Sequence, residues 1–344
     1  MPTKRYISAV KGVVFASLLA FLLQILFFSP IDSPDLLELP PAVSTAASSD
    51  SPWNNNLQRV VKLGEGWLKD PEGVCVDKEG TLYTATRDGW IKRFHKNGTC
   101  EDWRMIGGNA LLGITTSTII NGDLLVCDAT KGLLKVNAHG VTVLTSEIDG
   151  SKISFADDVI EASDAKPHGR VLKYDPSTRK TSILIDGLCF PNGITLSQDQ
   201  DFLVVCETWK FRCLKHWLKG ENRGKIEIFI DNLPGGPDNI NLAPDGSFWI
   251  ALLQLTSNRF EFVHTSKIAK YLIAPFPKLI ELVKGGIYKR AMVVNVGADG
   301  KKIIRKFDDW DGKVMSFVTS AVEDEGHLYL GSLNSNFIGK LKLN

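Results

Sequence analysis

Glu72, Asp157 with its neighbour Asp158, Asn192, and Asp238 with Asn239 occupy one equivalent point in four copies of a recurring sequence template. All offer a carboxylate or an amide carbonyl, and no imidazole or thiolate shares the position. Hard oxygen donors of this kind suit Ca²⁺, which takes about six to eight oxygens at roughly 2.3–2.6 Å. A cation so held is a Lewis acid toward the carbonyl or phosphoryl oxygen of an ester, a lactone or a phosphotriester. The expected metal set is therefore Glu72, Asp157, Asn192, Asp238 and Asn239, with Asp238 as the expected catalytic nucleophile or base. Any one Asp or Asn is more often a strand cap or a turn former; it is recurrence at one template position that points to a site. Two further equivalent points hold Leu112 and Thr319, which leaves the set lopsided.

Residues this far apart in the chain meet only if the fold brings each copy back to one axis. Asp70-Pro-Glu-Gly-Val-Cys-Val-Asp-Lys-Glu-Gly-Thr-Leu-Tyr and Gly236-Pro-Asp-Asn-Ile-Asn-Leu-Ala-Pro-Asp-Gly-Ser-Phe-Trp show the same order: Pro, a polar pair, an alternating strand, a Gly turn, then an aromatic strand. Related copies start near Leu111, Ser154, Phe190 and Val318. The first five equivalent points recur every 35 to 46 residues or so, the length of one four-stranded propeller blade. Gly and Asn at the turns tolerate positive φ, as tight hairpins require. The last interval is nearly twice as long and contains Thr256 to Leu282, whose apolar residues fall at helical spacing and predict an inserted helical segment. The copy at Ser154 is short: about 12 residues separate Asp157 from Gly169, where the first two copies use about 17 and about 20. The expected fold is an all-β, six-bladed β-propeller with a strand missing from blade three.

Ahead of the repeats, Lys4, Arg5 and Lys11 flank an apolar run from Val13 to Phe28. That is the pattern of a secretory signal peptide or an uncleaved signal anchor, slightly short of the roughly twenty residues a bilayer span needs. The expected organisation is thus residues 1–29 as signal or anchor, 30–56 as a Pro/Ser/Ala-rich linker, and 57–344 as the propeller. Membrane anchoring would run through residues 12–28, with the remainder of the chain lumenal. Within an oxidising lumen, Asn97-Gly98-Thr99 reads as a glycosylation acceptor. Of the six cysteines, Cys75, Cys127 and Cys206 lie in apolar strand patterns and read as buried thiols; no CxxC and no zinc spacing occurs. A formal net charge of +1 gives no argument for nucleic acid as a partner. A Ser-His-Asp reading lacks both a Gly-x-Ser-x-Gly elbow and a clustered His.

From Leu57 to Asn344 the chain resembles the plant strictosidine-synthase-like proteins. The resemblance rests on Asp70-Pro-Glu-Gly-Val, Asp88-Gly-Trp-Ile, Leu111-Leu-Gly-Ile, Ala129-Thr-Lys-Gly-Leu-Leu-Lys-Val, Gly169-Arg-Val-Leu-Lys-Tyr-Asp-Pro, Phe190-Pro-Asn-Gly-Ile, Glu207-Thr with Arg212, and Leu233-Pro-Gly-Gly-Pro-Asp-Asn-Ile. It implies a six-bladed propeller routed through the endoplasmic reticulum, often to the vacuole, and a more distant kinship with calcium-dependent lactonases of the paraoxonase and gluconolactonase type. Strictosidine synthase condenses tryptamine with secologanin using a channel glutamate as base. The matching stretch here has Thr319 or Ser320, and a neutral hydroxyl is no base near neutral pH. Paraoxonase-like enzymes carry a His in the second blade, where this chain has Leu112. The expected function is metal-dependent hydrolysis of a small-molecule ester, lactone or phosphotriester. The alternatives are a non-catalytic lumenal propeller binding a small molecule or a protein, and a strictosidine synthase-type Pictet–Spengler condensation.

Overall fold

A computed structural model describes residues 2–28, 36, 54–108, 111–117, 122–153, 169–254, 261–263, 265–284 and 289–343. Contacts divide the chain into two units: one comprises Met1–Glu38, Glu161–Lys166 and Thr256–Ile287, the other Leu39–Ile160, Pro167–Leu255 and Tyr288–Asn344.

The larger unit is the propeller. Its first blade is β2 (Pro71–Val76), β3 (Leu82–Thr86), β4 (Trp90–Phe94) and β5 (Cys100–Met105), preceded in the chain by the short β1 (Val61–Leu63). The second is β6 (Leu111–Thr116), β7 (Leu124–Asp128), β8 (Gly132–Asn137) and β9 (Gly140–Thr145). A small hairpin follows, β10 (Glu147–Ile148) with β11 (Ser151–Lys152). The third position holds a two-stranded sheet, β12 (Gly169–Asp175) with β13 (Lys180–Leu188). Two complete blades come next: β14 (Pro191–Leu196), β15 (Phe202–Glu207), β16 (Arg212–Trp217) and β17 (Ile226–Ile230), then β18 (Gly236–Leu242), β19 (Phe248–Leu253), β20 (Ala291–Val296) and β21 (Ile303–Asp309). The last blade orders β1 outside β24 (Ile338–Lys342), β23 (His327–Ser332) and β22 (Val318–Asp324). The first strand of the fold thus completes the last blade, with Lys62 opposite Gly339.

The described residues therefore form five four-stranded blades, not the expected six. Residues 154–168, which include the copy starting at Ser154, lie outside the described residues. Beside this position, Ile194 on β14 is 48% exposed, whereas the residues at its register in two intact blades, Val74 and Ile240, are each 2% exposed. The cores between the other blades are dry and aromatic-rich; Phe202, Phe229 and Phe248 meet with centroids 5.2–6.5 Å apart.

One correction concerns a cysteine. Cys206 is not a free thiol: it forms a disulfide with Cys213, directly opposite it across β15 and β16. Cys75 is a buried thiol as expected, with its pKa pushed up by that burial. Ordered contacts also start before Leu57: the backbone N–H groups of Asn54 and Asn55 donate to Asp308 at 3.0–3.2 Å, and the Gln58 amide donates to Asp309 at 2.8 Å. Asp309 also accepts the N–H groups of Lys313, Val314 and Met315 at 2.8–3.2 Å. These two fully buried acids latch the N-terminal segment to the fifth-position blade and to the turn that leads into the last one.

The smaller unit contains α1 (Pro2–Phe28) and the expected insertion between β19 and β20, which carries α2 (Lys267–Ile273) and α3 (Pro277–Lys284). Among the described residues no helix is long and apolar enough to cross a membrane.

Replacing Asp309 by Ala leaves several buried N–H donors without an acceptor, each worth about 1–3 kcal/mol. Urea unfolding of Asp309→Ala is expected to show a loss of about 3 kcal/mol or more; a loss within error of zero would mean that the latch plays no part in closing the ring.

Candidate functional site

The innermost strand of every complete blade has one irregularity in its pairing, and it falls at the template position. On β2, three steps from Pro71 to Val74 match two steps on β3, from Thr86 to Thr84. The same extra residue occurs between Leu111 and Ile114, Pro191 and Ile194, Pro237 and Ile240, and Val318 and Ser320. A β-bulge re-aims the side chains it carries and sharpens the local twist. The bulges hold Glu72, Leu112, Asn192, Asp238 with Asn239, and Thr319, so the residues equated from sequence are equivalent in space as well. Three of these strands open on a non-glycine residue in the left-handed region: Asp70 (φ 45°), Phe190 (φ 53°) and Phe317 (φ 49°). The Asp70 carboxyl is pushed above its ordinary pKa, chiefly by burial, against the lowering influence of Lys69 and Arg87.

Adjacent bulges touch backbone to backbone. A Cβ on Gly193 would stand 2.5 Å from the Asp238 carbonyl oxygen and 2.4 Å from the Ile240 nitrogen, and one on Gly73 would stand 2.9 Å from the Leu112 carbonyl oxygen. Only glycine admits these approaches. Hydrogen bonds make the remaining joints: the Thr319 hydroxyl donates to the Glu72 carbonyl at 2.9 Å, the Asn241 amide to the Ala321 carbonyl at 3.1 Å, and the Thr208 hydroxyl to the Pro237 carbonyl at 2.7 Å. Along the complete blades the bulges thus run in the order Leu112, Glu72, Thr319, Asp238, Asn192.

One contact spans this row. The Asn239 side-chain amide donates to Glu72 Oε1 at 2.8 Å, across 167 positions of sequence, although β22 lies between β18 and β2. Side chains from non-adjacent blades therefore converge. Glu72 is fully buried, Asp238 is 2% exposed and Asn192 7%. Asn239 uses its nitrogen toward Glu72, so in this arrangement it orients the carboxylate. Asp157 and Asp158 lie outside the described residues. Among the described residues no three His, Cys, Asp or Glu side chains cluster as a metal site. What the described residues bring is two buried carboxylates and a buried amide on equivalent bulges, of which those of Glu72 and Asn239 are in direct contact. Those donors fit a hard divalent cation by type.

Thr319 and Ser320 are both buried, at 0% and 2% exposed, and Thr319 uses its hydroxyl proton on the Glu72 carbonyl. The position carries no acid or base. Sequence reasoning missed one buried ion pair: Glu207, 2% exposed, accepts from Arg212 Nε and from the Cys189 N–H, each at 2.7 Å. It joins the end of β13 to the turn between β15 and β16. The signal was the Glu207-Thr pair followed by Arg212, noted only as part of a family pattern.

Two family models match: strictosidine synthase over residues 133–221, and the strictosidine synthase-like N-terminal region over residues 52–94. Protein STRICTOSIDINE SYNTHASE-LIKE 4 of Arabidopsis thaliana is 34% identical, covering 91% of this chain and 90% of its own length. Among solved structures, a gluconolactonase of Xanthomonas campestris superposes with a TM-score of 0.57 at 14% identity, covering 92% of this chain and 96% of its own. Regucalcin of Agrobacterium tumefaciens, described as a calcium-binding protein, gives 0.54 at 14% identity over 82% and 93%. At that identity the structural likeness carries the fold.

The glycine contact offers a direct test of the site's architecture. Gly193→Ala must push β14 and β18 apart, and a cost of about 1–3 kcal/mol is expected in urea unfolding; an unchanged midpoint would show that the two bulges are not in contact.

Proposed function

Because the chain belongs to the strictosidine synthase-like family, we propose that it is a propeller hydrolase of small-molecule esters, lactones or phosphotriesters that works with a divalent cation, Ca²⁺ by the chemistry of its donors. The observation that carries this reading is the convergence of bulge residues: Glu72 and Asn239 touch across an intervening blade, and Asp238 and Asn192 sit on the two bulges next along the row. Burying carboxylates is costly unless charge and hydrogen bonds compensate them, and a cation among hard oxygens is one such compensation. The gluconolactonase and calcium-binding neighbours lend the reading support through their shared fold.

Glu72, Asn192 and Asp238 would hold the ion, with Asn239 fixing the Glu72 carboxylate. When bound, the ion supplies Lewis-acid polarisation of the carbonyl or phosphoryl oxygen. Asp238 takes the proton of the attacking water or attacks directly. Leu112, fully buried, stands where related lactonases are expected to carry an imidazole, so no base acts from that bulge. Condensation of the strictosidine synthase type has no support at Thr319, whose hydroxyl is committed to a neighbouring blade.

The same reading places the protein in the endomembrane system, in the lumen of the endoplasmic reticulum or the vacuole, held at the membrane by residues 12–28. The Cys206–Cys213 disulfide supports an oxidising compartment. Asn97 stands in the exposed turn between β4 and β5, where its side-chain oxygen accepts from the Thr99 N–H and hydroxyl, and its exposure supports glycosylation.

Aryl esters and lactones assayed with Ca²⁺ or with EDTA, on wild type and on Asp238→Ala, test the function. Loss of metal or of Asp238 is expected to lower kcat/KM by about 10²–10⁴. Equal rates in all four conditions would remove the hydrolase reading. Ca²⁺ at about 100 times its Kd is also expected to stabilise the wild type by about 2.7 kcal/mol. A non-catalytic binding propeller with capping carboxylates would show no such stabilisation.

A further inference from the structure

Among the described residues, the most exposed large apolar side chains lie in the smaller unit. On α2, Ile268 (73% exposed) and Leu272 (38%) lie one turn apart on the same face, and on α3 so do Leu279 (39%) and Leu282 (56%). Phe262, just before α2, is 70% exposed. The insertion is also basic in sequence: from Thr256 to Ile287 it has Arg259, Lys267, Lys270, Lys278 and Lys284 against Glu261 and Glu281, in a protein whose net charge is +1; Lys267 and Lys278 are exposed, whereas Lys270 is buried.

This surface is continuous with α1. The Phe21 ring stacks on Phe276, between α2 and α3, at 5.2 Å between centroids and 10° between planes. One turn on, the Gln24 amide donates to the Pro275 carbonyl at 3.2 Å, and Ile25 is buried to 5% exposure. Residues 21, 24 and 25 form one face of α1, and that face packs on the corner of the insertion. The other faces stay exposed, with Phe15 at 70%, Leu18 at 57% and Leu22 at 54%. A segment removed as a cleaved signal would leave that corner uncovered.

We propose that α1 and the insertion helices form a single monotopic membrane-binding surface that lies in the interface of an anionic bilayer, with Ile268, Leu272, Leu279 and Leu282 in the acyl boundary and Lys267 and Lys278 at the headgroups. An amphipathic helix rich in Lys on one side and in Leu or Phe on the other binds in this manner, and each basic residue near an anionic surface adds to the attraction. Charge complementarity selects the bilayer over a second copy of the chain, since two such basic faces would repel one another. This inference rests on the anchoring role of residues 12–28 proposed above and adds the insertion, which that role does not require.

Flotation of the full-length protein with vesicles of phosphatidylcholine and phosphatidylserine, at a ratio of about 7:3, separates the two claims. The variant Ile268→Ser/Leu272→Ser/Leu279→Ser/Leu282→Ser, altered only at exposed positions, is expected to keep the wild-type melting temperature and to lose vesicle partitioning by about tenfold or more. A second variant, Lys267→Glu/Lys278→Glu, is expected to lose about tenfold on these vesicles and little on phosphatidylcholine alone. A third, Phe15→Asp/Leu18→Asp/Leu22→Asp, reports on α1. If only the third loses binding, α1 anchors the chain alone and the inference is overturned. If none does, the anchoring role falls as well. If the first disperses an oligomer while partitioning is unchanged, the face belongs to a second copy, which also overturns the inference.

Discussion

The extra residue near the start of each innermost strand is the constraint on which the structure depends. Regular pairing would alternate side chains between the two faces of a blade and give no reason for five blades to aim at one point. A bulge inserted at the same register in each blade turns the local chain and lets backbones of adjacent blades meet. Gly73 and Gly193 permit that meeting, since a Cβ at either would collide with the next strand's backbone. Where glycine does not mediate the contact, a hydroxyl or an amide does, as with Thr319 on the Glu72 carbonyl and Asn241 on the Ala321 carbonyl. The chemistry of the site and the packing of the ring therefore use the same few residues, and a change at one is felt by both.

That coupling explains the lopsided donor set. Glu72, Asp238 and Asn192 lie on one stretch of the row, interrupted by Thr319, while Leu112 ends it. Thr319 is a joint between blades first, and a carboxylate in its place would lose the hydrogen bond that its hydroxyl makes. Asn239 shows the same economy of roles, since one side chain both bridges two blades and fixes the geometry of the Glu72 carboxylate.

Much of this was legible in the sequence because the repeat is written in turn residues and in alternation, both of which act locally. The equivalence of Glu72, Leu112, Asn192, Asp238 and Thr319 could be read from aligned copies, although the bulge that gives the position its meaning could not, because a bulge is defined by the partner strand. Long-range features were hidden for the same reason. Cys206 and Cys213 meet only once the turn from Glu207 to Arg212 fixes the register of β15 on β16. The work of Asp308 and Asp309 as acceptors for Asn54, Asn55, Gln58 and the turn after β21 appears only when distant parts of the chain are brought together. The count of six four-stranded blades is not met among the described residues, which do not include the copy starting at Ser154.

The short third position has a consequence for how the ring holds together. At the register of Ile194, Val74 and Ile240 are buried and Ile114 is partly buried, and an exposed Ile forgoes roughly 25 cal/mol for each Å² left in water. Leu196, two residues further along the same strand, is 42% exposed as well. Less apolar burial at this one place means that more of the closure must come from elsewhere. The molecule has three devices that serve it: the pairing of β1 with β24, the Asp308–Asp309 latch, and the Glu207–Arg212 pair that ties β13 to the following blade. The first two act where the chain's beginning meets its end, and the third acts next to the defect itself. Polar, directional contacts thus stand beside the exposed Ile194 and Leu196, and they help to hold the described blades in register.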